Sequence, residues 1–193
     1  MATRAEGRQM ASYEEFVCLS DRISRVNSAL RVGIDNIPVV HQRSVHRIHD
    51  AALIIFHVFA FEDFCSHYVP DKSPGKPKND EPRSAVLRNL RREAIQGNRL
   101  AEIKSTLTRV DHIIMLRNLC AHRLGRRKDL RDAERLTPAL LREYGFETDG
   151  QEDDLDARWW PAQCVAFAAC IPPLQCLAKW VSENLEPLSG GGN

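Results

Sequence analysis

The sequence predicts an all-α fold, a single-domain bundle of four to five main helices over residues 1–193. Apolar residues recur three and four positions apart in several segments, which is the period of one helix face. Period-two alternation is absent, and the β-branched residues fall within the helical spacing. A chain of 193 residues is long enough to bury one good core.

Composition indicates a soluble protein, with 43% hydrophobic and 27% charged residues. A net charge of +1 excludes a generally basic nucleic-acid coat, so any anion binding must be local. The amino-terminal segment has no apolar core of a secretory signal. The longest apolar run, 51–61, contains His57 and is too short to span a bilayer. We therefore expect a cytoplasmic protein without membrane association.

The first two predicted helices are separated by the glycine and proline of segment 33–38. The first, of about 20 residues, carries an apolar stripe at helical spacing: Phe16, Leu19, Ile23, Val26 and Leu30. The second runs from about residue 44 to residue 67. Its predicted core face is Val45, Ile48, Ala52, Ile55 and Phe59, widened by Ile54, Val58, Phe61 and Phe64.

The remaining elements follow from turn and cap residues. Segment 70–82 is a predicted loop, followed by a short helix over 84–96 with Ser84 as its cap and a long helix over 99–121. Thr137 and Pro138 begin another short helix, and 146–158 is a predicted acidic loop. A last helix is predicted from Trp159 to about residue 185, kinked or broken at Pro172 and Pro173. Residues 1–11 and 187–193 are predicted disordered tails.

The six cysteines predict neither a metal site nor disulfides. They include no CxxC pair, and three of them, Cys18, Cys65 and Cys120, fall inside apolar helical patterns. We expect no metal and no cofactor.

Arg117 occupies an unusual position in the long helix. The long helix has a core-facing series at helical spacing, Ile103, Leu107, Val110 and Ile114. The next position in this series is 117, which is an arginine instead of an apolar residue. That group stays charged, so it must be paired, hydrated or turned toward an anion. His122, five residues later, is a residue type that exchanges protons near neutral pH. This combination suits chemistry on a phosphodiester.

Glu62 shows the same anomaly on the second helix, where it continues the series Ile48, Ala52, Ile55 and Phe59. We therefore hypothesise that Glu62 pairs with Arg117 and orients it. The alternative is that Glu62 lies at a wet helix margin and pairs with another cation. On an unbroken helix Arg117 and His122 point about 140° apart. Either the helix ends near Cys120, or two subunits pool their residues.

These residues resemble a known family. Arg117 and Asn118 followed by Ala121 and His122, late in a long apolar helix, are similar to the R-x4-6-H signature of the HEPN superfamily. The FAFEDF stretch at 59–64 resembles an acidic patch in the second core helix of that superfamily. The resemblance implies a metal-independent endoribonuclease that forms a homodimer, so that two motifs line one cleft. Many members are toxins or antiviral effectors, and some have lost catalysis.

Carried onto this chain, the resemblance makes His122 the general acid or base. Arg117 would bind the scissile phosphate, and Asn118 matches the frequent polar residue after the arginine. One branch of the family has a tyrosine two positions beyond the histidine. Leu124 stands there in this chain, so regulation through that tyrosine is not supported.

A basic run follows the motif and is a candidate track for an RNA backbone; it consists of Arg123, Arg126, Arg127, Lys128 and Arg131. The alternative is a solvated face neutralised by neighbouring acids. The leading hypothesis is an RNA-cleaving dimer with an antitoxin or a defence-system protein as partner. Its rivals are a silent relative that binds RNA, a nucleotide or a protein, and a helical interaction module in which Arg117 and His122 are structural.

Overall fold

The computed structural model describes residues 12–70, 81–82, 84–123, 125–127, 133–152, 154, 156–162 and 165–188, without the side chains of residues 122, 123 and 133. These residues form six α-helices and two short strands: α1 (Tyr13–Ile34), α2 (Val39–Ser66), α3 (Ala85–Gln96), α4 (Leu100–Arg123), α5 (Pro138–Glu143), β1 (Phe146–Thr148), β2 (Trp159–Pro161) and α6 (Val165–Asn184). The predominantly helical architecture confirms the predicted all-α class.

Local sequence explains where several helices begin and end. Ser12 and Glu15 form a reciprocal capping box at the start of α1. Thr137 accepts the Leu140 amide at the start of α5, with Pro138 in the first helical position. Gly97 closes α3, and Asn98 follows with a φ of 54°. The predicted boundaries are close to the observed ones, except for the starts of α2 and α6. Helix α2 begins at Val39 rather than near residue 44, with Pro38 as its N-cap residue.

The core lies among α2, α4 and α6, each of which contacts the other two, while α1 packs on α2 and α3 packs on α4. The four apolar residues of the predicted α4 stripe are buried, as expected. The largest fully buried side chains come from every layer: Phe16, Ile54, Phe61, Phe64, Leu87, Leu90, Ile113, Leu116, Leu119, Leu136, Tyr144 and Trp159.

Helix α4 runs antiparallel to α2. The start of α4 lies beside the end of α6, where the Trp180 indole donates to Glu102. Beyond α6, the Leu188 amide donates to the carbonyl of His67 at the end of α2, at 2.7 Å. The amino-terminal half of α4 therefore lies at the carboxyl-terminal end of α2, and the chain past Arg117 returns toward the middle of α2.

The predicted core face of α2 is wrong for Ile48 and Phe59, whereas the residues predicted to widen it, Ile54, Val58, Phe61 and Phe64, are buried. Ile48 is 65% exposed and Phe59 54% exposed, while Val45, Ala52 and Ile55 are only partly buried. The helix instead buries its opposite side, on Ala51, Ile54, Val58, Phe61 and Cys65. Both sides of α2 are apolar, so periodicity could not distinguish the side that packs within this chain.

A small antiparallel sheet corrects the prediction of a loop over 146–158 and of a helix starting at Trp159. Strand β1 pairs with β2 in the register Phe146 to Pro161 and Thr148 to Trp159. Trp160 precedes Pro161, and a residue before proline disfavours the helical region, so this segment is extended. Helix α6 begins only at Val165.

Helix α6 is continuous through Pro172 and Pro173, so the predicted break is absent. Each proline lacks the N–H that would donate to the carbonyl four residues earlier. Packing of the buried face of α6 against α2 and α4 keeps the segment helical despite this loss. By length and composition alone α6 is apolar enough to span a membrane, but core helices of soluble proteins pass the same test.

The predicted tails have a mixed outcome. Residues 187 and 188 are described, and the backbone bond from Leu188 to His67 makes the prediction of disorder wrong there. Residues 1–11 and 189–193 lie outside the described residues.

Candidate active site at Arg117

Arg117 and Glu62 form the ion pair hypothesised from the sequence. Arg117 Nη2 donates to Glu62 Oε2 at 2.8 Å, and the other carboxylate oxygen accepts from the Ser84 hydroxyl at 3.3 Å. The guanidinium also lies over the Phe59 ring, 5.1 Å from its centroid. Three elements, α2, α3 and α4, therefore hold one cation in place.

Glu62 lies at the margin of the exposed α2 face, with its side chain 23% exposed. Glu62 therefore lies at a helix margin, as the alternative interpretation expected. Its partner is nevertheless Arg117, as the pairing hypothesis predicted. Two partly buried charges on separate helices stabilise a defined geometry more than the fold, because desolvation offsets much of their attraction.

The Arg117 guanidinium has donors that the described residues do not use. Its side chain is only 12% exposed, yet Glu62 is its only hydrogen-bond acceptor among those residues. Nε is buried without an acceptor in the same part of the chain. A guanidinium presents five N–H donors, so this one retains capacity for the oxygens of an anion.

A cavity of about 490 Å³ adjoins this cation. Asn118 lines it together with Arg117, which brings two of the three predicted catalytic residues to one space. The other lining residues are Phe59, Glu62, Asp63, Ser66, Ser84, Ala85, Val86 and Ile114. Because two of these are acids, attraction for an anion must come from donor groups such as those of Arg117 and Asn118.

The amino terminus of α3 lies at the cavity wall. Ser84 is the N-cap residue, but its side chain makes no capping bond and donates to Glu62 instead. The first amides of α3 are therefore without a side-chain cap, and Ala85 and Val86 line the cavity. The partial positive charge of a helix start favours an anion there. From the sequence, Ser84 was expected only as a cap and Phe59 as a residue of the α2 core face, so neither was predicted at this site.

His122 belongs to the last turn of α4, and its side chain lies outside the described residues. The helix runs without interruption to Arg123, which excludes the alternative in which it ends near Cys120. In a regular helix, five residues rotate the side-chain direction by about 140°. The helix positions of Arg117 and His122 in one chain are therefore about 140° apart. Ala121, four residues after Arg117 on the same helix face, is exposed.

The basic run is not one exposed track. Arg127 is buried, with 6% of its surface exposed, which corrects its assignment as an RNA contact. Arg126 is half-buried and pairs through its backbone with the exposed Arg158, a nearby cation that the sequence order did not reveal. The side chain of Arg123, and the whole of Lys128 and Arg131, lie outside the described residues.

The described part of the chain has no metal-ion cluster, and the thiol nearest the motif is buried. No three His, Cys, Asp or Glu residues there converge closely enough to hold a metal ion. Burial raises the pKa of Cys120, the thiol nearest the motif, to about 12, and it also raises the pKa of Cys170. Such thiols remain protonated and unreactive at neutral pH.

Comparisons with protein-family models, with curated proteins and with solved structures gave no match. The resemblance to the HEPN superfamily therefore depends on the residues around Arg117, His122 and Glu62.

Proposed function

We propose that this protein is a metal-independent endoribonuclease whose active site is shared between two copies of the chain. One observation carries the proposal: a guanidinium fixed by Glu62 and Phe59 retains unused donors beside a cavity, five residues before a histidine. A phosphodiester is the ligand class that fits both a bidentate cation and a proton-transfer group.

The proposed reaction uses the nucleophile that RNA itself carries. A base takes the proton of the 2′-hydroxyl, the 2′-oxygen attacks phosphorus, and the bond from phosphorus to the 5′-oxygen breaks. An acid protonates the leaving 5′-oxygen. The products are a 2′,3′-cyclic phosphate and a 5′-hydroxyl, without a metal or another cofactor.

Each residue of the site has a separate task in this scheme. Arg117 stabilises the charge that develops on the phosphate oxygens. Asn118 donates to a ribose or phosphate oxygen, and His122 transfers protons. Glu62 already accepts a bond from Arg117, so it serves as a positioning residue that orients the guanidinium.

A homodimer accommodates the angle between the two residue positions on α4. If Arg117 of one copy meets His122 of its partner, the angle of about 140° within one helix becomes an advantage. Two symmetric sites then form in one groove. The setting that fits this activity is a cytoplasmic toxin or antiviral-defence effector, restrained by an antitoxin or another defence-system protein.

A second candidate function is RNA or nucleotide binding without cleavage. The acidic lining favours it, because Glu62 and Asp63 raise the cost of gathering charge on a phosphate in this cavity. Binding would then weaken as salt rises, since phosphate contacts release counterions.

The deciding experiment is cleavage of labelled single-stranded RNA in the presence of EDTA. The parent is expected to produce 2′,3′-cyclic phosphate ends and to leave DNA intact. Arg117→Ala and His122→Ala are expected to lose at least about a hundredfold in rate. Arg25→Ala, which removes an exposed cation from α1, is the matched control and retains the parent rate. Equal rates for His122→Ala and parent would refute the proposal, and tight RNA binding without cleavage would support the second function.

A further inference from the structure

A second cavity, of about 110 Å³, is bordered by α3, the amino-terminal half of α4 and the short 3-10 helix Ala133–Arg135. In the described part of the chain, its charged lining residues are three cations, Arg91, Lys104 and Arg135, and one acid, Asp111. The cavity beside Arg117 has the opposite balance there, with two acids and one cation. The second cavity, termed here the α3–α4 cavity, therefore favours an anion.

Asp111 orients Arg135 in the way that Glu62 orients Arg117. Arg135 Nη2 donates to Asp111 Oδ2, and the aspartate side chain is 3% exposed. Arg135 Nη1 is buried and has no acceptor among the described residues. A guanidinium that one acid orients in this way retains donors for the oxygens of an incoming anion.

Helix α4 adds a second cation to the same cavity. Thr108 and Lys104 lie about one and two turns before Asp111, on the same helix face. Lys104 is exposed and forms no ion pair with any described residue. The Thr108 hydroxyl already donates to the backbone carbonyl of Lys104. The donors for an anion are therefore those of Lys104 and Arg135, together with the positive charge that Arg91 contributes from α3.

The volume of the α3–α4 cavity limits the kind of anion. At roughly 30 Å³ for each water molecule, 110 Å³ corresponds to about four waters. One tetrahedral phosphate group fits such a space, whereas a whole nucleotide needs a larger pocket. Cations from three separate elements also match the several oxygens of a phosphate better than the two oxygens of a carboxylate. We propose that the α3–α4 cavity binds a single phosphate group through Arg135, Lys104 and Arg91, with the remainder of the ligand in solvent.

The α3–α4 cavity is a neighbour of the cavity beside Arg117. Ser84 lines the latter and Pro82 lines the former, and two residues along the chain span at most about 7.6 Å. On α4, Asp111 and Asn118 share one face and are about 10 Å apart along the helix. A stacked nucleic-acid strand advances about 3.4 Å for each phosphate, so about three nucleotides cover that distance. The identification of the bound group as a second backbone phosphate of the same RNA rests on the proposed function, whereas the phosphate site itself does not.

Titration with inorganic phosphate, followed through the backbone amide resonances in ¹⁵N NMR, tests the site directly. In the parent, the resonances of residues 104–111 and of Arg135 are expected to shift to saturation at millimolar phosphate. Lys104→Gln should weaken this binding about tenfold, because a charged donor is lost. Lys104 is replaced because it is exposed, whereas replacing Arg135 would leave the buried Asp111 carboxylate without this cation.

Arg109→Gln is the matched control for Lys104→Gln. Arg109 is also an exposed cation of α4, but it lies five residues, or about 140°, from Lys104. This control should bind phosphate as the parent does. An absence of saturable shifts in the parent, or equal binding by the two variants, would overturn the inference.

The salt dependence of RNA binding tests whether the phosphate belongs to RNA. The measurement uses His122→Ala as background, in which the RNA is expected to stay intact. Adding Lys104→Gln should reduce the slope of log affinity against log salt by about 0.7, the value for one phosphate contact with a single strand. Adding Arg109→Gln should leave the slope unchanged. An unchanged slope with Lys104→Gln would refute RNA as the source of the phosphate. Saturation by inorganic phosphate in a parent that cleaves no RNA would refute only the proposed function.

Discussion

Arg117 and Glu62 are 55 residues apart in the sequence, yet Nη2 of one and Oε2 of the other lie 2.8 Å apart. The pair joins the late turns of α4 to the carboxyl-terminal part of α2, and Ser84 links the carboxylate to the start of α3. Contacts from three helices thus orient the Arg117 guanidinium.

Breaking this pair is expected to destabilise the fold measurably. Glu62→Gln leaves a largely buried guanidinium with a weaker acceptor, which costs about 1–3 kcal/mol of unfolding free energy in urea titrations. Glu183→Gln removes an exposed partner of Lys179 and should change it by less than about 0.5 kcal/mol. A double-mutant cycle of Glu62→Gln with Arg117→Gln should show positive coupling. Additive effects would mean that the two side chains do not interact favourably in the folded protein.

Gly125 has a conformation that a side chain does not tolerate. It follows α4 with a φ of +82°, and an added Cβ would lie 2.4 Å from the Trp159 carbonyl oxygen. Gly125→Ala should therefore lower stability by more than about 1 kcal/mol, since left-handed strain and backbone overlap act together. Gly33→Ala is the control: its Cβ would have open space at the end of α1, so stability should stay equal or rise. Thermal melts that rank the two variants alike would contradict this account of the α4 end.

The stability of the fold should decrease in mild acid, partly because of His57. Its ring is buried, its Nδ1 donates to the Leu53 carbonyl, and burial lowers the pKa of His57. The unfolded chain takes up a proton at His57 below about pH 6.5, whereas the folded protein does so only at lower pH. This contribution to stability is therefore full above that pH and is lost as the pH falls.

The check is the difference in unfolding free energy between about pH 7.5 and about pH 5.5. His57→Met should reduce this difference, while His49 and His112, whose pKa values burial also lowers, sustain the remainder. Leu53→Ala weakens the same buried region without removing a titrating ring, so it should keep the parent difference. An unchanged difference in His57→Met would exclude His57 as a source of the acid sensitivity.

Helix periodicity was sufficient to predict where the main helices lie, because their apolar stripes and caps are local in sequence. The α4 stripe from Ile103 to Ile114 is buried as predicted, and Glu62 and Arg117 meet. For α2 the same reasoning predicted both sides of the helix as core, and only the side with Ile54 and Val58 is buried. Ile48 and Phe59 satisfy helical spacing as well as Ile54 and Val58 do, and a sequence does not state which surface is covered by its own chain.

The other errors arise from contacts that are distant in sequence. The extended conformation of 159–161 depends on pairing with Phe146–Thr148, and the Trp159 amide donates to Gly125. The burial of Arg127 likewise follows from this arrangement of the chain after α4. From the sequence alone, the charged segment after α4 looks like a solvent-exposed surface. No local feature indicates that a strand later in the chain packs against it.

The most direct measurement is complementation between two inactive variants. Arg117→Ala and His122→Ala are each expected to cleave no RNA when pure. In an equimolar mixture that exchanges subunits, about a quarter of the parent activity should return, because half of the dimers are mixed and each has one complete site. A mixture that stays inactive beside an active parent would contradict a site shared between two copies, and a parent that fails to cleave RNA would contradict the nuclease itself.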